Sequence, residues 1–388
     1  MLLTGHLSWA LPAAAANTLL QARLASEQPH HKVAAYGLIT VVGAVSAVVS
    51  TAVCGGLSDR TRSRFGRRSP WILGGSAVSA TGLTLTGVTS LFPVEILGFT
   101  AFQAGMNAML SAMYALLPDR FAPQVMGRAS AVTGIGYLLG TALGGVAASA
   151  LAGNPGLGLR ILPWVMVLAA LVLFGPAREV VPAPAAAPRA PLSLSAFLPP
   201  RDGDFIRVLV GRFCVLLALY VVVFYQLYIF TDLLGLGVQD AAREVALCTI
   251  ILGTGALLAL AVAGPLSDQS GRRRPWVVAA SLIVALGTVF PLSDPGLPTM
   301  RIFYAIAGIG YGTYLAVDQA LVAEVLPTRD NRAREMGFMN IANSAPVVLG
   351  PVCAAGVVSL AGYRSLFAVA LALALLGGGI VQTVGRSR

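Results

Sequence analysis

Apolar residues fill this chain in long runs separated by short polar breaks. Hydropathy and breaker residues predict twelve spans, near 3–24, 34–57, 70–90, 94–117, 128–151, 159–175, 207–231, 243–265, 276–293, 300–325, 336–359 and 363–384. An α-helix of roughly 20 apolar residues crosses the hydrocarbon core of a bilayer. Between the sixth and seventh spans lies VPAPAAAPRAPLSLSAFLPPRDGD, with six prolines from Pro182 to Pro200. No spanning helix tolerates that density of proline, so this stretch is expected to be an extended linker. The predicted organisation is a six-helix bundle over 1–176, a linker over 177–206 and a second six-helix bundle over 207–388. The predicted fold is an all-α integral membrane protein of twelve transmembrane helices in two pseudo-symmetric six-helix bundles.

The halves also repeat. Gly55, Leu57, Ser58 and Asp59 recur 209 positions later as Gly264, Leu266, Ser267 and Asp268, and Pro118 recurs as Pro327. Gly140 recurs as Gly350, and Pro70-Trp71 recurs as Pro275-Trp276 after a loop four residues shorter. Parallel repeats of this kind mark carriers whose substrate site lies at the midplane between halves.

Composition agrees with the pattern. The 388 residues are 56% hydrophobic and 11% charged, with a mean hydropathy of +0.79, whereas soluble domains are roughly 25% charged. The net charge of +10 would suggest nucleic acid in a soluble protein. In a membrane protein it reports topology, because basic residues collect in cytoplasmic loops. With both termini cytoplasmic, 20 of the 26 basic residues fall inside, counting the linker with Arg207 and Arg212; Arg23, Lys32, Arg160, Arg243, Arg301 and Arg364 fall outside. Lys32 is the sole lysine, which hints at a GC-rich bacterial genome. The four cysteines, Cys54, Cys214, Cys248 and Cys353, are scattered through apolar runs, which predicts buried free thiols and no metal site. The start, MLLTGHLSWALPAAAAN, lacks the positive n-region of a signal peptide, so a retained first helix is expected.

Charge concentrates in GGLSDRTRSRFGRRSPW, residues 55–71, and again in GPLSDQSGRRRPW, residues 264–276. Anchoring by positive charge explains the arginines but not the aspartates or the duplication. Gly55, Gly56 and Gly264 suit close helix approach. Asp59 and Asp268 suit a helix N-terminus. Arg60, Arg67 and Arg272 suit pairing with Asp119 and Glu324 at the cytoplasmic ends of neighbouring helices. Together these residues predict a cytoplasmic gate.

Gly-x-Leu-Ser-Asp-Arg followed by Gly-Arg-Arg resembles the signature loop of the major facilitator superfamily, and the twelve spans and central linker extend that resemblance over the whole chain. The longer form LSDRTRSRFGRRSPW is similar to the glycoside–pentoside–hexuronide symporters and the sucrose-type proton symporters. The chain departs from that branch in one respect: its first two spans hold no acidic residue before the loops, which puts sodium coupling in doubt.

Polar residues within the apolar spans form faces at helical spacing. Gln103, Asn107, Ser111 and Tyr114 share one; Tyr225, Tyr228 and Asp232, with Gln226 beside them, another; Tyr311, Tyr314 and Asp318 a third. The first span offers His6, Asn17 and Gln21, the eleventh Asn340 and Asn343. The resemblance implies that spans 1, 4, 7 and 10 line a central cavity. The expected substrate ligands are therefore Asn17, Gln103, Asn107, Tyr114, Tyr225, Tyr228, Tyr311, Tyr314, Asn340 and Asn343. The competing account is that amides and hydroxyls simply cross-link helices, at about 0.6 kcal/mol per contact. Asp318 is the acidic residue placed well inside a span, at a cost of roughly 2.5–3.5 kcal/mol on insertion scales. That makes it the candidate for proton coupling, the rival being structural pairing with an arginine. Glu95 and Asp232 lie near the outer face and are expected to be solvated.

The function these features predict is secondary active transport of a small polar organic solute by alternating access, with a sugar or glycoside favoured and protons as a candidate coupling ion. The alternatives are an efflux carrier for amphipathic compounds and a non-transporting sensor of the same fold. No nucleophile elbow, metal cluster or phosphate loop points to an enzyme, and no cofactor or nucleic-acid partner is expected. The expected setting is a bacterial inner membrane, multi-pass, with the protein a monomer.

Overall fold

The computed structural model describes residues 2–63, 65–120, 126–177, 202–325 and 332–385, all regular elements among them being helical. In chain order these are α1 (Leu2–Glu27), α2 (Lys32–Arg60), α3 (Ser69–Val88), α4 (Phe92–Arg120), α5 (Met126–Leu151), α6 (Pro155–Ile161), α7 (Trp164–Ala177) and α8 (Gly203–Val223). Then follow a single turn, α9 (Gln226–Tyr228), a π turn (Ile229–Leu233), α10 (Val238–Ser270), α11 (Arg274–Ser293), α12 (Leu297–Val325), α13 (Arg332–Ala361) and α14 (Arg364–Gln382). The sixth predicted span is thus α6 and α7 with a step at Leu162-Pro163, and the seventh is α8, α9 and the π turn. Counted once each, these give twelve helical stretches among the described residues.

Among the described residues, eight segments are apolar and long enough to cross a bilayer on composition alone. α1, α4 and α12 are as long, at 26, 29 and 29 residues, but carry the polar positions that set them apart. Leu258 is 66% and Val172 72% exposed, side chains that belong against lipid tails rather than water.

The chain forms two compact units: Met1–Pro188 with Gly237–Ala246, and Arg189–Leu236 with Leu247–Arg388. Within the units the packing partners repeat. α1 packs on α5, α3 on α4, and α3 and α1 on α7; α8 packs on α13, α11 on α12, and α11 and α8 on α14.

Small residues set these seams. On α5, Gly136 and Gly140 face the Leu3 and Leu7 carbonyls of α1, where an added Cβ would lie 2.6 and 2.7 Å from the oxygen. α3 and α4 meet at two reciprocal pairs, Gly75 with Gly105 and Gly82 with Gly98, seven residues apart on each helix. In the second unit Gly211 of α8 meets Gly377 of α14. Without a hydrophobic drive between helices in lipid, such close backbone approach supplies much of the association energy. By contrast, among the described residues a Cβ at Gly56 or Gly264 would have nothing within 4 Å, and at Gly55 only Ser111 Cβ at 3.9 Å. The expected close approach at the signature-loop glycines is therefore corrected: the seams lie elsewhere.

Local signals explain the ends. Asp202 caps α8, its carboxylate accepting from the backbone N–H of Asp204 and Phe205 at 3.0 and 3.1 Å, and Asn154 caps α6. α3, α6 and α11 each begin with proline in the first two positions. The second unit's core gathers Phe205, Val208 and Val215 of α8 with Val277, Val317 and Val381 of α11, α12 and α14.

Candidate functional site

The duplicated loops form the same structure twice. In the first, Arg68 donates to Ser58 Oγ at 3.0 Å and the Trp71 indole donates to Thr61 Oγ1 at 2.8 Å. In the second, Arg273 donates to Ser267 Oγ at 2.8 Å and Trp276 to Ser270 Oγ at 3.1 Å. Gly66 and Gly271 both hold positive φ, 93° and 62°, a turn open to glycine at little cost. Each loop thus buckles the end of one helix to the start of the next. The missing four residues fall between the hydroxyls and the glycine, so the contacts survive the shorter loop. Arg68 is 4% exposed; Arg60 and Arg272 are exposed and Arg67 half-buried. The side chains of Asp59, Asp119, Asp268 and Glu324 lie outside the described residues. Sequence reasoning singled out the aspartates and missed the hydroxyls, although Ser58 recurring as Ser267 was the available signal.

In the second unit Asp318 does not stand alone. Arg212 Nη2 lies 2.9 Å from Asp318 Oδ2, and the Tyr314 hydroxyl donates to Oδ1 at 2.6 Å. Arg212 and Asp318 are 3% and 4% exposed. The sequence count placed Arg212 with the cytoplasmic linker; the structure corrects this, because Arg212 sits about two and a half turns into α8 and joins it to α12. Two charges buried together in a low-dielectric interior are tolerable only as a hydrogen-bonded pair.

The first unit holds a second buried pair. Arg23 Nε lies 3.1 Å from Glu95 Oε1, and Arg23 Nη2 lies 2.9 Å from Glu27 Oε1. Arg23 also donates to the Thr89 carbonyl. Glu95 is fully buried, which overturns its expected solvation. The pairs link repeat-equivalent helices, α1 with α4 and α8 with α12. The first is at the start of α4, the second far along α12.

The predicted ligand faces separate into open and closed sets. Tyr225, Tyr228 and Tyr314 are buried to 2% exposure or less, and the Tyr225 hydroxyl donates to the Pro351 carbonyl at 3.2 Å. Helix regularity fails between them, since α8 ends at Val223 and a π turn follows α9; the assumed single face over Tyr225, Tyr228 and Asp232 is corrected accordingly. Gln226 instead accepts from Tyr304 at 3.1 Å. Asp232 is exposed, as expected, and accepts from Tyr363 at 2.7 Å; burial and that acceptor raise the Tyr363 pKa. In the first unit Asn17 is half-buried, its carbonyl accepting from Gln21 at 3.0 Å. Asn107 accepts from Thr51 of α2 at 3.3 Å and donates to the Gln103 carbonyl at 2.9 Å. Gln103 packs on Gly43 of α2. Tyr311 is half-buried and Tyr114 is 54% exposed. Asn340 and Asn343 have side chains outside the described residues.

Around Tyr114 the structure gathers rings that the sequence did not join. The His6 and Tyr114 centroids lie 5.5 Å apart, His6 and Trp9 6.4 Å, and Trp9 and Tyr137 5.4 Å.

A helical chain of long apolar segments, with polar and charged groups enclosed between helices, has the build of an integral membrane protein. The sequence model of the Major Facilitator Superfamily matches residues 2–255 and 241–384, and the chain belongs to this superfamily. No curated protein is significantly similar to it in sequence. Among solved structures it is similar to a bacterial homologue of the human lysosomal transporter Spinster in its inward-facing, occupied conformation. That match has a TM-score of 0.77 and 16% identity over 100% of this chain and 96% of that one. It is also similar to the human organic anion transporter MFSD10 (TETRAN), with a TM-score of 0.69 and 18% identity over 98% of each chain. At such identities the likeness is one of fold.

Proposed function

We propose that this carrier moves a small polar organic solute, a sugar or glycoside, by alternating access coupled to protons through Asp318. The observation that carries the coupling is the enclosed Arg212–Asp318–Tyr314 group. Protonation of the carboxylate removes the charge that holds Arg212, so proton binding changes how firmly α8 is tied to α12. The signature loops, with Asp59, Arg60, Arg67 and Asp119 in one half and Asp268, Arg272 and Glu324 in the other, are proposed as the cytoplasmic gate. The sugar preference rests on the loop LSDRTRSRFGRRSPW and on the absence of a net charge among the open polar residues Asn17, Asn107 and Tyr114.

The test is transport in proteoliposomes, after a thermal-shift screen identifies a solute that stabilises the folded state. Uptake driven by an inward proton gradient is lost in Asp318→Asn, while counterflow exchange, which needs no net proton movement, survives. If the wild type ignores the gradient, coupling is wrong and the protein is a facilitator. Loss of both uptake and exchange in Asp318→Asn, in protein that remains folded, reassigns the residue to a structural role.

A further inference from the structure

His6, Trp9, Tyr114 and Tyr137 come from three helices, α1, α4 and α5, and lie within one unit. Their polar atoms are unequal. His6 is 2% exposed and its Nδ1 faces the Leu2 carbonyl at 3.2 Å. A carbonyl only accepts, so Nδ1 carries the proton, and in the neutral ring Nε2 is an acceptor. That Nε2 and the Trp9 indole Nε1–H are enclosed and have no hydrogen-bond partner among the described residues. A buried acceptor or donor left without a partner loses its hydration and gains nothing in return. The rings packed against them are open: Tyr114 is 54% and Tyr137 44% exposed. Lipid tails offer such a patch no hydrogen bond, and polar groups at membrane depth face the protein interior or a water-filled cavity.

We propose that this ring cluster is a binding subsite for a neutral hydroxylated ring, a sugar or glycoside, and that His6, Trp9 and Tyr137 are ligand residues beside Tyr114. The proposal rests on the transport function above and names the side chains that would recognise its substrate. A pyranose presents an apolar C–H face, which the open faces of Tyr114 and Tyr137 match. Its hydroxyls both donate and accept, so one ring meets the His6 acceptor and the Trp9 donor together once a phenol rotates aside. An organic cation satisfies the aromatic faces but has no acceptor for Trp9. A phosphorylated or carboxylated solute finds no cationic side chain in the cluster.

Purified full-length protein in nanodiscs is titrated at pH 8 with sucrose and methyl β-glucopyranoside, and in parallel with tetraphenylphosphonium and glucose 6-phosphate. Tryptophan fluorescence is read in wild type and in Trp9→Phe, the difference being the Trp9 signal. The neutral sugars give a saturable Trp9 signal; Trp9→Phe, followed by thermal shift, and His6→Phe each weaken binding about fivefold to tenfold, the worth of one net hydrogen bond. Sugar affinity equal to wild type in both variants overturns the subsite, as does a saturable Trp9 signal with the cation or the phosphate alone. Should a sugar be carried with no sugar-dependent Trp9 signal, only the subsite fails; should a different solute be carried instead, the sugar reading of the transport function fails with it. Should sugars bind at Trp9 without flux in vesicles, only the transport function fails.

Discussion

Asp318 and Arg212 form a pair whose two members contribute unequally when removed. Taking away one charge leaves the other enclosed without compensation, which costs about 3–5 kcal/mol, whereas exchanging both for apolar side chains is often neutral or better. Arg212→Met is therefore expected to lower the apparent melting temperature of the detergent-purified protein sharply. Arg212→Met with Asp318→Leu is expected to regain most of the loss while proton-driven uptake stays absent. A double variant no more stable than the single would show that the pair does not act as a unit. Asp318 itself was legible in the sequence, because a carboxylate far inside an apolar run has few innocuous explanations. Its partner was not. An arginine near the start of a span has the same signature whether it anchors to headgroups or turns inward, and only packing on α12 decides. Glu95 misled for the same reason: a position in the first turn of α4 implies water, but Arg23 closes over it from α1.

At the scale of elements, the apolar runs settled where helices form, and the seams between them depend on backbone distances that no hydropathy profile carries. The seventh span shows the limit most clearly. Nothing between Val223 and Gln226 is a helix breaker, yet α8 stops there. The irregular turn is held from outside, by the Tyr225 bond to Pro351 and the Tyr304 bond to Gln226. Glycines were legible as a class but not by position, since those in the signature loops drew attention that belonged to α3, α4 and α5. The α3–α4 seam gives a direct check. A Cβ at Gly105 would lie 2.5 Å from Ser79 N and 2.6 Å from the Gly75 carbonyl, both backbone atoms that have no rotamer to change, while a Cβ at Gly74 meets nothing within 4 Å. Gly105→Ala is expected to reduce the yield of monodisperse protein and its melting temperature by size-exclusion-monitored heating, and Gly74→Ala to leave both unchanged. Equal behaviour of the two would mean that α3 and α4 can part without cost.

For the whole molecule, duplication is the governing fact, and its two layers were unequally visible. The offset of 209 between Ser58 and Ser267 was plain in the sequence. The shared buckle was not, since its second half, from Gly66 to Trp71, recurs at an offset of 205 and becomes one structure only when the chain folds back. The halves then diverge, one keeping its buried ion pair at the start of α4 and the other far along α12, so the repeat supplies a frame and not a set of equal sites. The buckles belong to separate compact units and share no partner in either pair of bonds. Changes at sites that do not interact add, and each hydrogen bond from a charged donor is worth about 1.5–3 kcal/mol. Ser58→Ala and Ser267→Ala are accordingly expected to lower thermal stability by similar amounts. Their combination is expected to lower it by the sum, within about 0.5 kcal/mol. The measurement is a double-variant cycle of unfolding in detergent. Additivity means that each loop fastens its own half. A combined loss well short of the sum, or well beyond it, would show that the two loops belong to one network, and the buckles would have to be reassigned from local fasteners to parts of a shared cytoplasmic gate.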